Sequence, residues 1–225
     1  METQSRLALI ARLEAAIHDC LKDHVPAGEP LAILDFPDIR NCGDSAIWLG
    51  EMAYLAARHG KRPAYVSRLD DFSARQLERA MPSGPIFIHG GGNFGDIWGA
   101  HQDFRERVLE LFPARPVVQL PQSIHYQSPE RIEQSARIIG KHRNFTLLVR
   151  DEESKAFADR HFDCAVKLCP DMAFAIGPVA PAEPVLPVLA MLRADREKAG
   201  DADLSAWPDL PVEDWITESP RSVQA

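Results

Sequence analysis

The sequence predicts an α/β protein built on a Rossmann-like, doubly wound parallel sheet. Three observations carry this prediction. Short, continuously apolar runs alternate with segments of helical periodicity, the runs have the length of strands, and small or polar residues follow most of them. Strands that are apolar throughout are typical of a parallel sheet covered by helices on both faces. With 225 residues, the chain is long enough to bury a substantial core.

The predicted elements follow one another in regular alternation. An N-terminal helix is indicated by apolar residues at helical spacing: Leu7, Ile10, Leu13, Ile17 and Leu21. The predicted strands are LAILDF, AYVS, PIFIH, PVVQL, FTLLV and AVKL. The predicted helices between them are AIWLGEMAYLAARHG, ARQLERAM, HQDFRERVLELF, PERIEQSARIIGKH and ESKAFADRHF. We expect residues from about 31 to 176 to form the sheet and its helices.

Two segments of unequal length are expected. Residues 1–177 form the predicted Rossmann-like N-terminal domain. Residues 178–225 begin with a proline-rich stretch, PVAPAEPVLP, and are expected to be a linker followed by the incomplete start of a second domain or a C-terminal tail. A strand candidate at residues 186–192 would open that second unit.

Composition excludes several classes of function. The formal net charge of −8 argues against a broad nucleic-acid surface, which needs clustered Lys and Arg. The four Cys and eight His residues show no metal-binding spacing, so we expect free thiols and no dedicated metal site. Neither a membrane span nor a secretory signal is apparent, and we expect a cytoplasmic protein. Association with the inner face of the membrane is left open.

Polar loops gather at one edge of the predicted sheet. In a doubly wound sheet, ligands bind where the carboxyl ends of strands meet the N-termini of helices, whose N–H groups suit an anion. The loops at those places read NCGDSAI, HGGGNFGD, PQSIHY, RDEES and CPDMAF. Each one alone is explained equally well as a turn or a helix cap. Five at the same edge predict an anion-binding site.

The segment HGGGNFGD contains G-x-G-x-x-G at Gly90, Gly92 and Gly95. A dinucleotide site would need an acidic residue at the end of the next strand, where Pro121 and Gln122 stand instead. An oxyanion loop would need a downstream G-x-S-x-G, which the chain lacks. We therefore expect a glycine turn that brings backbone close to a ligand.

Taken together in this order and spacing, NCGDSAI, HGGGNFGDIW, LPQSIHY, RDEES and PDMAF resemble the polysaccharide pyruvyl transferase family. The resemblance runs from about Phe36 to Phe174. It implies transfer of the enolpyruvyl unit of phosphoenolpyruvate to sugar hydroxyls as a pyruvate ketal, on a glycan or lipid-linked oligosaccharide acceptor and without a cofactor. It also implies a GT-B-like plan of two Rossmann-like domains. This chain departs from that plan, because little of a second domain and of its Arg- and His-containing donor-binding stretch is expected here.

Three residues are the candidates for catalysis. Arg150 suits bidentate contact with a phosphate or carboxylate, with a structural ion pair to Asp151 or Glu153 as the alternative. His125 is the candidate proton carrier, against an ordinary surface position. Asp171 is a candidate base or hydroxyl ligand, against a capping role. The predicted substrate-binding residues are Asn41, Gly43, Asp44, Gly90, Gly91, Gly92, Asn93, Gln122, Ser123 and Arg150.

Two other functions stay open from the sequence. One is a sugar-nucleotide glycosyltransferase of GT-B type, and the other is a catalytically silent binding module of a glycan pathway. A homo-oligomer that supplies missing groups between subunits is a further alternative. Of the two tryptophans near the polar loops, Trp98 is the better candidate for stacking on a sugar, because Trp48 lies on an amphipathic helix and suits the core.

Overall fold

The computed structural model describes residues 2–25, 28–39, 41–60, 62–180, 183–192, 200 and 202–214. The helices are α1 (Glu2–Leu21), α2 (Cys42–Arg58), α3 (Ala74–Ala80), α4 (Gly99–Leu111), α5 (Pro129–Ile139), α6 (Glu152–His161) and a 3-10 helix (Met172–Ile176). The strands are β1 (Ala32–Leu34), β2 (Tyr65–Ser67), β3 (Ile86–Ile88), β4 (Gly91–Gly95), β5 (Val117–His125), β6 (Phe145–Val149), β7 (Ala165–Leu168), β8 (Ala190–Met191) and β9 (Val212–Glu213).

The main sheet has the order β2-β1-β3-β5-β6-β7, with β4 paired to β5, and all of its pairs are parallel. Ile86 of β3 lies opposite Val117 of β5, so the segments PIFIH and PVVQL pair as a parallel ladder. The predicted α/β architecture with a parallel sheet is confirmed. From β1 the chain adds β2 on one side, and from β3 onward it adds the remaining strands on the other side. The order of the strands therefore reverses between β1 and β3, which is where a doubly wound sheet opens a crevice for ligands.

Helices cover both faces of the sheet because successive strand residues point in opposite directions. Ile33, Phe87, Val118 and Leu148 face one layer, which contains α1, α2 and the 3-10 helix. Their neighbours Leu34, Ile88, Val117 and Leu147 face the layer of α3 to α6. The central strands β1, β3, β5 and β6 are thus buried on both sides, which explains their continuous apolar sequences.

Two predictions around β5 are corrected. The segment PQSIHY was expected to be a loop, but β5 continues through it to His125. The pairing of β5 with β6 shifts in register between Gln119 and Gln122, and this irregularity accommodates Pro121 within the strand. The expected glycine turn is also partly a strand, since Gly91–Gly95 forms β4 beside the second half of β5.

Beyond Gly177, β8 and β9 pair with each other in a two-stranded parallel sheet separate from the main one. The predicted strand at 186–192 is therefore present but is shorter, at Ala190–Met191. Within the described ranges, none of the helices combines the length and the hydropathy that a membrane crossing requires.

Candidate active site

A cavity of about 610 Å³ lies at the carboxyl ends of β1 and β3. Its wall is formed by the loop after β1, the first turn of α2, the loop after β2, the glycine segment after β3, the start of α4 and Arg150 after β6. The cavity thus occupies the crevice where the direction of the chain reverses. The sequence-based prediction of a site at this edge agrees with its position.

The N-terminus of α2 forms one part of the wall. Asn41, Gly43 and Asp44 all line the cavity. Asn41 is the N-cap, because its side-chain oxygen accepts a hydrogen bond from the Gly43 N–H at 2.9 Å. Asp44 is not the cap and lies in the first turn, where a carboxylate is favoured by the helix dipole.

The glycine segment forms the adjacent part of the wall. Gly91, Gly92 and Asn93 line the cavity, whereas Gly90 lies behind them and donates its N–H to the Glu51 carboxylate at 3.0 Å. Gly91 has a φ of +124°, a conformation that suits glycine. A side chain at Gly92 would come within 3.3 Å of the Arg150 guanidinium, so the backbone and Arg150 approach each other closely here.

Asn93 is fixed by its neighbours rather than free. Its N–H donates to Gln122 Oε1 at 3.0 Å, and its Oδ1 accepts from Gln122 Nε2 and Arg105 Nη2, each at 2.9 Å. Gln122 is fully buried and does not line the cavity. We therefore place Gln122 in the support of β4 rather than in contact with a substrate.

A buried guanidinium lies beneath this segment. Arg105 is 0% exposed and donates to three amide oxygens, those of Gln119 (2.5 Å), Gln102 (2.6 Å) and Asn93 (2.9 Å). Burial lowers the pKa of Arg105 to about 10. The group remains charged at neutral pH and orients Asn93.

Arg150 reaches the cavity from the end of β6 and is held in place from behind. Its Nη1 donates to Asp171 Oδ2 at 2.6 Å and its Nε to Ser123 Oγ at 2.9 Å. The side chain is 30% exposed, and Nη2 has no hydrogen-bond partner among the described residues. The alternative that Arg150 is a structural ion pair is partly right, but its partner is Asp171 rather than Asp151 or Glu153.

Ser123 and Asp171 lie behind Arg150 and do not line the cavity. Ser123 donates to Asp151 Oδ2 at 2.7 Å, and Asp151 caps α6 through the Ser154 N–H. Asp171 caps the 3-10 helix by accepting from the Ala173 N–H at 2.8 Å. Both residues therefore position the guanidinium.

His125 lies away from these groups. It is exposed at the end of β5 and is not part of the cavity wall. Its carbonyl accepts the Asp96 N–H at 3.2 Å, which ties the loop after β4 to β5. Its predicted role as proton carrier stays a prediction that this position does not favour.

Two other histidines do line the cavity, and sequence reasoning missed both. His101 Nδ1 is 2.8 Å from Asp35 Oδ2 and 2.9 Å from Asp35 Oδ1. Contact with a carboxylate places a proton on Nδ1, which leaves Nε2 to serve as a proton acceptor. Asp35 is 2% exposed and has a φ of +66°, and it is the one non-glycine residue with positive φ in the described part of the chain. Such strain is often found at functional sites.

The second of these histidines, His89, is 2% exposed and precedes the glycine segment. Its Nδ1 lies 2.9 and 3.0 Å from the two oxygens of Glu51, which is 1% exposed. Although burial opposes the charge, the Glu51 carboxylate raises the pKa of His89 above its ordinary value. Its Nε2 is buried and has no hydrogen-bond partner among the described residues.

The cavity also has an apolar side. Phe36, Ile39, Leu69 and Trp98 line it. Trp48 instead packs edge-on against Phe36, with ring centroids 4.8 Å apart, and belongs to the core. Trp98 therefore remains the candidate for contact with a sugar ring.

The arrangement brings two kinds of chemistry into one cavity. The Arg150 guanidinium and the glycine backbone suit an anion. The His101 imidazole, oriented by Asp35, suits acceptance of a proton, and Asn93 of the glycine segment itself donates to Asp35 at 3.4 Å. No cluster of three or more metal-binding side chains occurs in the part of the chain that the structure describes.

Comparison with known proteins identifies the family of the chain. The family model described as polysaccharide pyruvyl transferase matches residues 41–221. Pyruvyl transferase 1 of Schizosaccharomyces pombe is 33% identical over 89% of this chain and 55% of its own length. The Bacillus subtilis protein named "Putative pyruvyl transferase EpsO" is 34% identical over 88% of this chain and 60% of its own length. The chain thus spans little more than half the length of these relatives.

A solved structure of an uncharacterized Klebsiella pneumoniae protein superimposes with a TM-score of 0.53 at 17% identity, over 82% of this chain and 66% of that one. That likeness shows the fold alone. The family model covers most of the chain, and both curated relatives exceed 30% identity. This chain belongs to the polysaccharide pyruvyl transferase family.

Proposed function

We propose that the protein transfers the enolpyruvyl unit of phosphoenolpyruvate to sugar hydroxyls and forms a pyruvate ketal on a glycan or lipid-linked acceptor. The observation that carries this proposal is the pairing, in one cavity, of an anion-binding wall at Arg150 with the Asp35–His101 pair. The family supports a glycan acceptor. We also propose a GT-B-like cleft in which a second domain closes over this cavity, and action in the cytoplasm, at or near the membrane face.

The reaction needs both an anion-binding group and a proton acceptor. One hydroxyl oxygen attacks C2 of phosphoenolpyruvate while C3 takes up a proton and becomes a methyl group. Phosphate then leaves C2 with the electrons of its C–O bond, and a second hydroxyl attacks the resulting oxocarbenium to close the ketal. The two acceptor hydroxyls lose two protons in all. One is matched by the proton gained at C3, and the other leaves with the released phosphate.

Arg150 is suited to the donor. Phosphoenolpyruvate carries a phosphate and a carboxylate, and a guanidinium fixed through Nη1 and Nε offers its remaining N–H groups in a set direction. The backbone of Gly92 lies beside it. Fixing these donors before the substrate arrives reduces the reorganisation needed in the transition state.

His101 is suited to the acceptor. Asp35 holds Nδ1, so Nε2 is the nitrogen that takes the proton of an attacking hydroxyl. Trp98 precedes α4 and lines the same cavity, where an aromatic face can contact the sugar.

Replacing His101 with asparagine is expected to lower kcat by about 10²- to 10⁴-fold, the usual range for loss of a general base. The affinity for phosphoenolpyruvate should change little, because Arg150 is intact. Steady-state kinetics with calorimetry on the same variants measures both quantities. His125→Asn is the comparison: a larger loss there than at His101 would restore His125 as the proton carrier.

Two alternative functions make different predictions. A GT-B-type glycosyltransferase would bind a nucleotide sugar through its diphosphate, and a silent module would bind ligand without turnover. Calorimetric titration with phosphoenolpyruvate and with nucleotide sugars distinguishes the glycosyltransferase from a pyruvyl transferase. Phosphate release from phosphoenolpyruvate in the presence of a panel of glycan acceptors distinguishes the silent module from an active enzyme. Acceptor-dependent release supports the proposal, and preferential binding of a nucleotide sugar would replace it.

A further inference from the structure

The buried pair of His89 and Glu51 is unusual because neither residue is needed for proton transfer at His101 or for anion contact at Arg150. Both side chains are almost fully inaccessible, at 2% and 1% exposure. Two ionisable groups are rarely buried together unless they are paired and hydrogen-bonded. Here the Gly90 N–H provides one such bond to Glu51, which links the pair to the glycine segment.

His89 is held through its ring and through its backbone. Its Nδ1 contacts both oxygens of Glu51, its backbone N–H donates to the Leu34 carbonyl, and its carbonyl accepts from Gln119 and Gln122. The backbone position is therefore fixed, and Glu51 orients the ring. It contributes to the wall of the cavity, yet its Nε2 has no hydrogen-bond partner among the described residues. A buried polar group without a hydrogen-bond partner destabilises the folded state, so its retention calls for an explanation.

The charges around the ring favour the imidazolium. Glu51 on α2 is its direct partner, and Asp44 on α2 and Asp35 after β1 act in the same direction. Arg150 and His101 face the same cavity from other elements. In the imidazolium, both ring nitrogens carry protons, and Nε2 becomes a charged donor.

We propose that His89 is a ligand of the anionic donor substrate, donating its Nε2–H to a phosphate or carboxylate oxygen in the cavity. Glu51 is its positioning residue. This inference rests on the proposed function for the identity of the anion. It gives the cavity a cationic group on the wall formed by the end of β3, besides Arg150 and the Arg68 guanidinium, which is paired with Asp38 and Asp71. A substrate with two acidic groups requires more than one such group.

Two variants of the full chain separate this role from a purely structural one. In His89→Asn, the amide nitrogen is bonded to Cγ as Nδ1 is in histidine. The variant keeps a donor for Glu51 but loses the donor at Nε2. In His89→Gln, the amide nitrogen is separated from Cα by as many bonds as Nε2 is in histidine. The variant keeps a donor at that distance but loses the contact with Glu51. We expect His89→Asn to weaken phosphoenolpyruvate binding about tenfold or more and His89→Gln to weaken it less. The reverse order would show a structural role and overturn the inference.

Proton-detected nitrogen NMR of the unmodified chain provides the test that does not depend on a variant folding. The two ring nitrogens of His89 are assigned by through-bond correlation with the His89 backbone and followed during titration with phosphoenolpyruvate, inorganic phosphate and pyruvate. We expect both nitrogens to be protonated at pH 7 and the Nε2–H resonance to move. Movement with phosphate or with pyruvate alone identifies which end of the donor His89 contacts.

The affinity for phosphoenolpyruvate is expected to depend on pH through the charge of His89. The raised pKa keeps the imidazolium charged above the ordinary range of histidine, and the charge is lost as the pH rises through that value. Affinity for phosphoenolpyruvate should therefore fall toward high pH in the wild type and stay flatter in His89→Gln. Anion binding that leaves the His89 resonances unmoved, or no anion binding at all, overturns the inference. If these resonances move but no acceptor yields phosphate, the proposed function fails and the anion site stands.

Discussion

Replacing Arg150 with alanine is expected to weaken phosphoenolpyruvate binding by about 1.5 to 3 kcal/mol, or roughly 10- to 150-fold. The guanidinium is fixed by Asp171 and Ser123 and lines the cavity, so its removal deletes a preoriented charged donor. Isothermal calorimetry measures the change. The affinity is expected to be weak even in the wild type if the cavity stays open, because a hydrated anion gains less from each contact.

Two further variants make that result specific. Arg150→Lys keeps the charge but loses the planar fork, and we expect it to recover only part of the affinity. Arg143→Ala removes an exposed arginine before β6, at the opposite edge of the sheet from the cavity, and should leave binding unchanged. Binding by Arg150→Ala within twofold of the wild type would exclude Arg150 as an anion ligand.

Replacing Gly95 with alanine is expected to destabilise the protein by about 4 kcal/mol or more, which is exceptional for a single substitution. A Cβ at this position would lie 1.8 Å from the His125 carbonyl oxygen, and the backbone φ is +120°. Steric overlap with main-chain atoms and a strained conformation therefore act together. Urea denaturation followed by circular dichroism measures the loss.

Gly99→Ala is the matched control. Gly99 begins α4, its φ is not positive, and a Cβ added there would meet no neighbouring atom within 4 Å. Alanine is the better helix former, so this variant should be as stable as the wild type or more stable. Similar unfolding midpoints for Gly95→Ala and Gly99→Ala would show that β4 can separate from β5 without cost.

Gly95 also shows why the glycine pattern misleads at the level of sequence. G-x-G-x-x-G matches a dinucleotide fingerprint letter for letter, but here the third glycine is required by the contact between β4 and β5. The missing acidic residue after the next strand argues against the dinucleotide interpretation, and this exclusion stays a prediction from the sequence. The sequence could not show that the segment is itself a strand, because five residues rich in glycine carry no strand periodicity.

The alternation of apolar and amphipathic segments was enough to predict the parallel sheet, since its central strands are buried on both faces. Pro121 led to the wrong end for β5, because a proline inside a strand is tolerated only where the pairing is irregular, and that depends on β6. The order of strands, and hence the position of the cavity between β1 and β3, arises from long-range packing that local pattern does not encode.

The site was predicted in part. Asn41, Gly43, Asp44, Gly91, Gly92, Asn93 and Arg150 line one cavity. His89 and His101 were missed because their carboxylate partners, Glu51 and Asp35, lie 38 and 66 residues away in the sequence. A usable signal did exist in the sequence, because both histidines flank the glycine segment and Asp35 is the penultimate residue of the predicted strand LAILDF, at the ligand-binding edge.

The most direct test of the site assignment is a crystal structure of the chain with phosphoenolpyruvate bound. We expect the ligand in the cavity between β1 and β3, with a phosphate or carboxylate oxygen within hydrogen-bonding distance of Arg150 and its C2 on the side of His101. Phosphoenolpyruvate bound away from this cavity, with Arg150 still paired to Asp171 and touching no anion, would contradict the assignment.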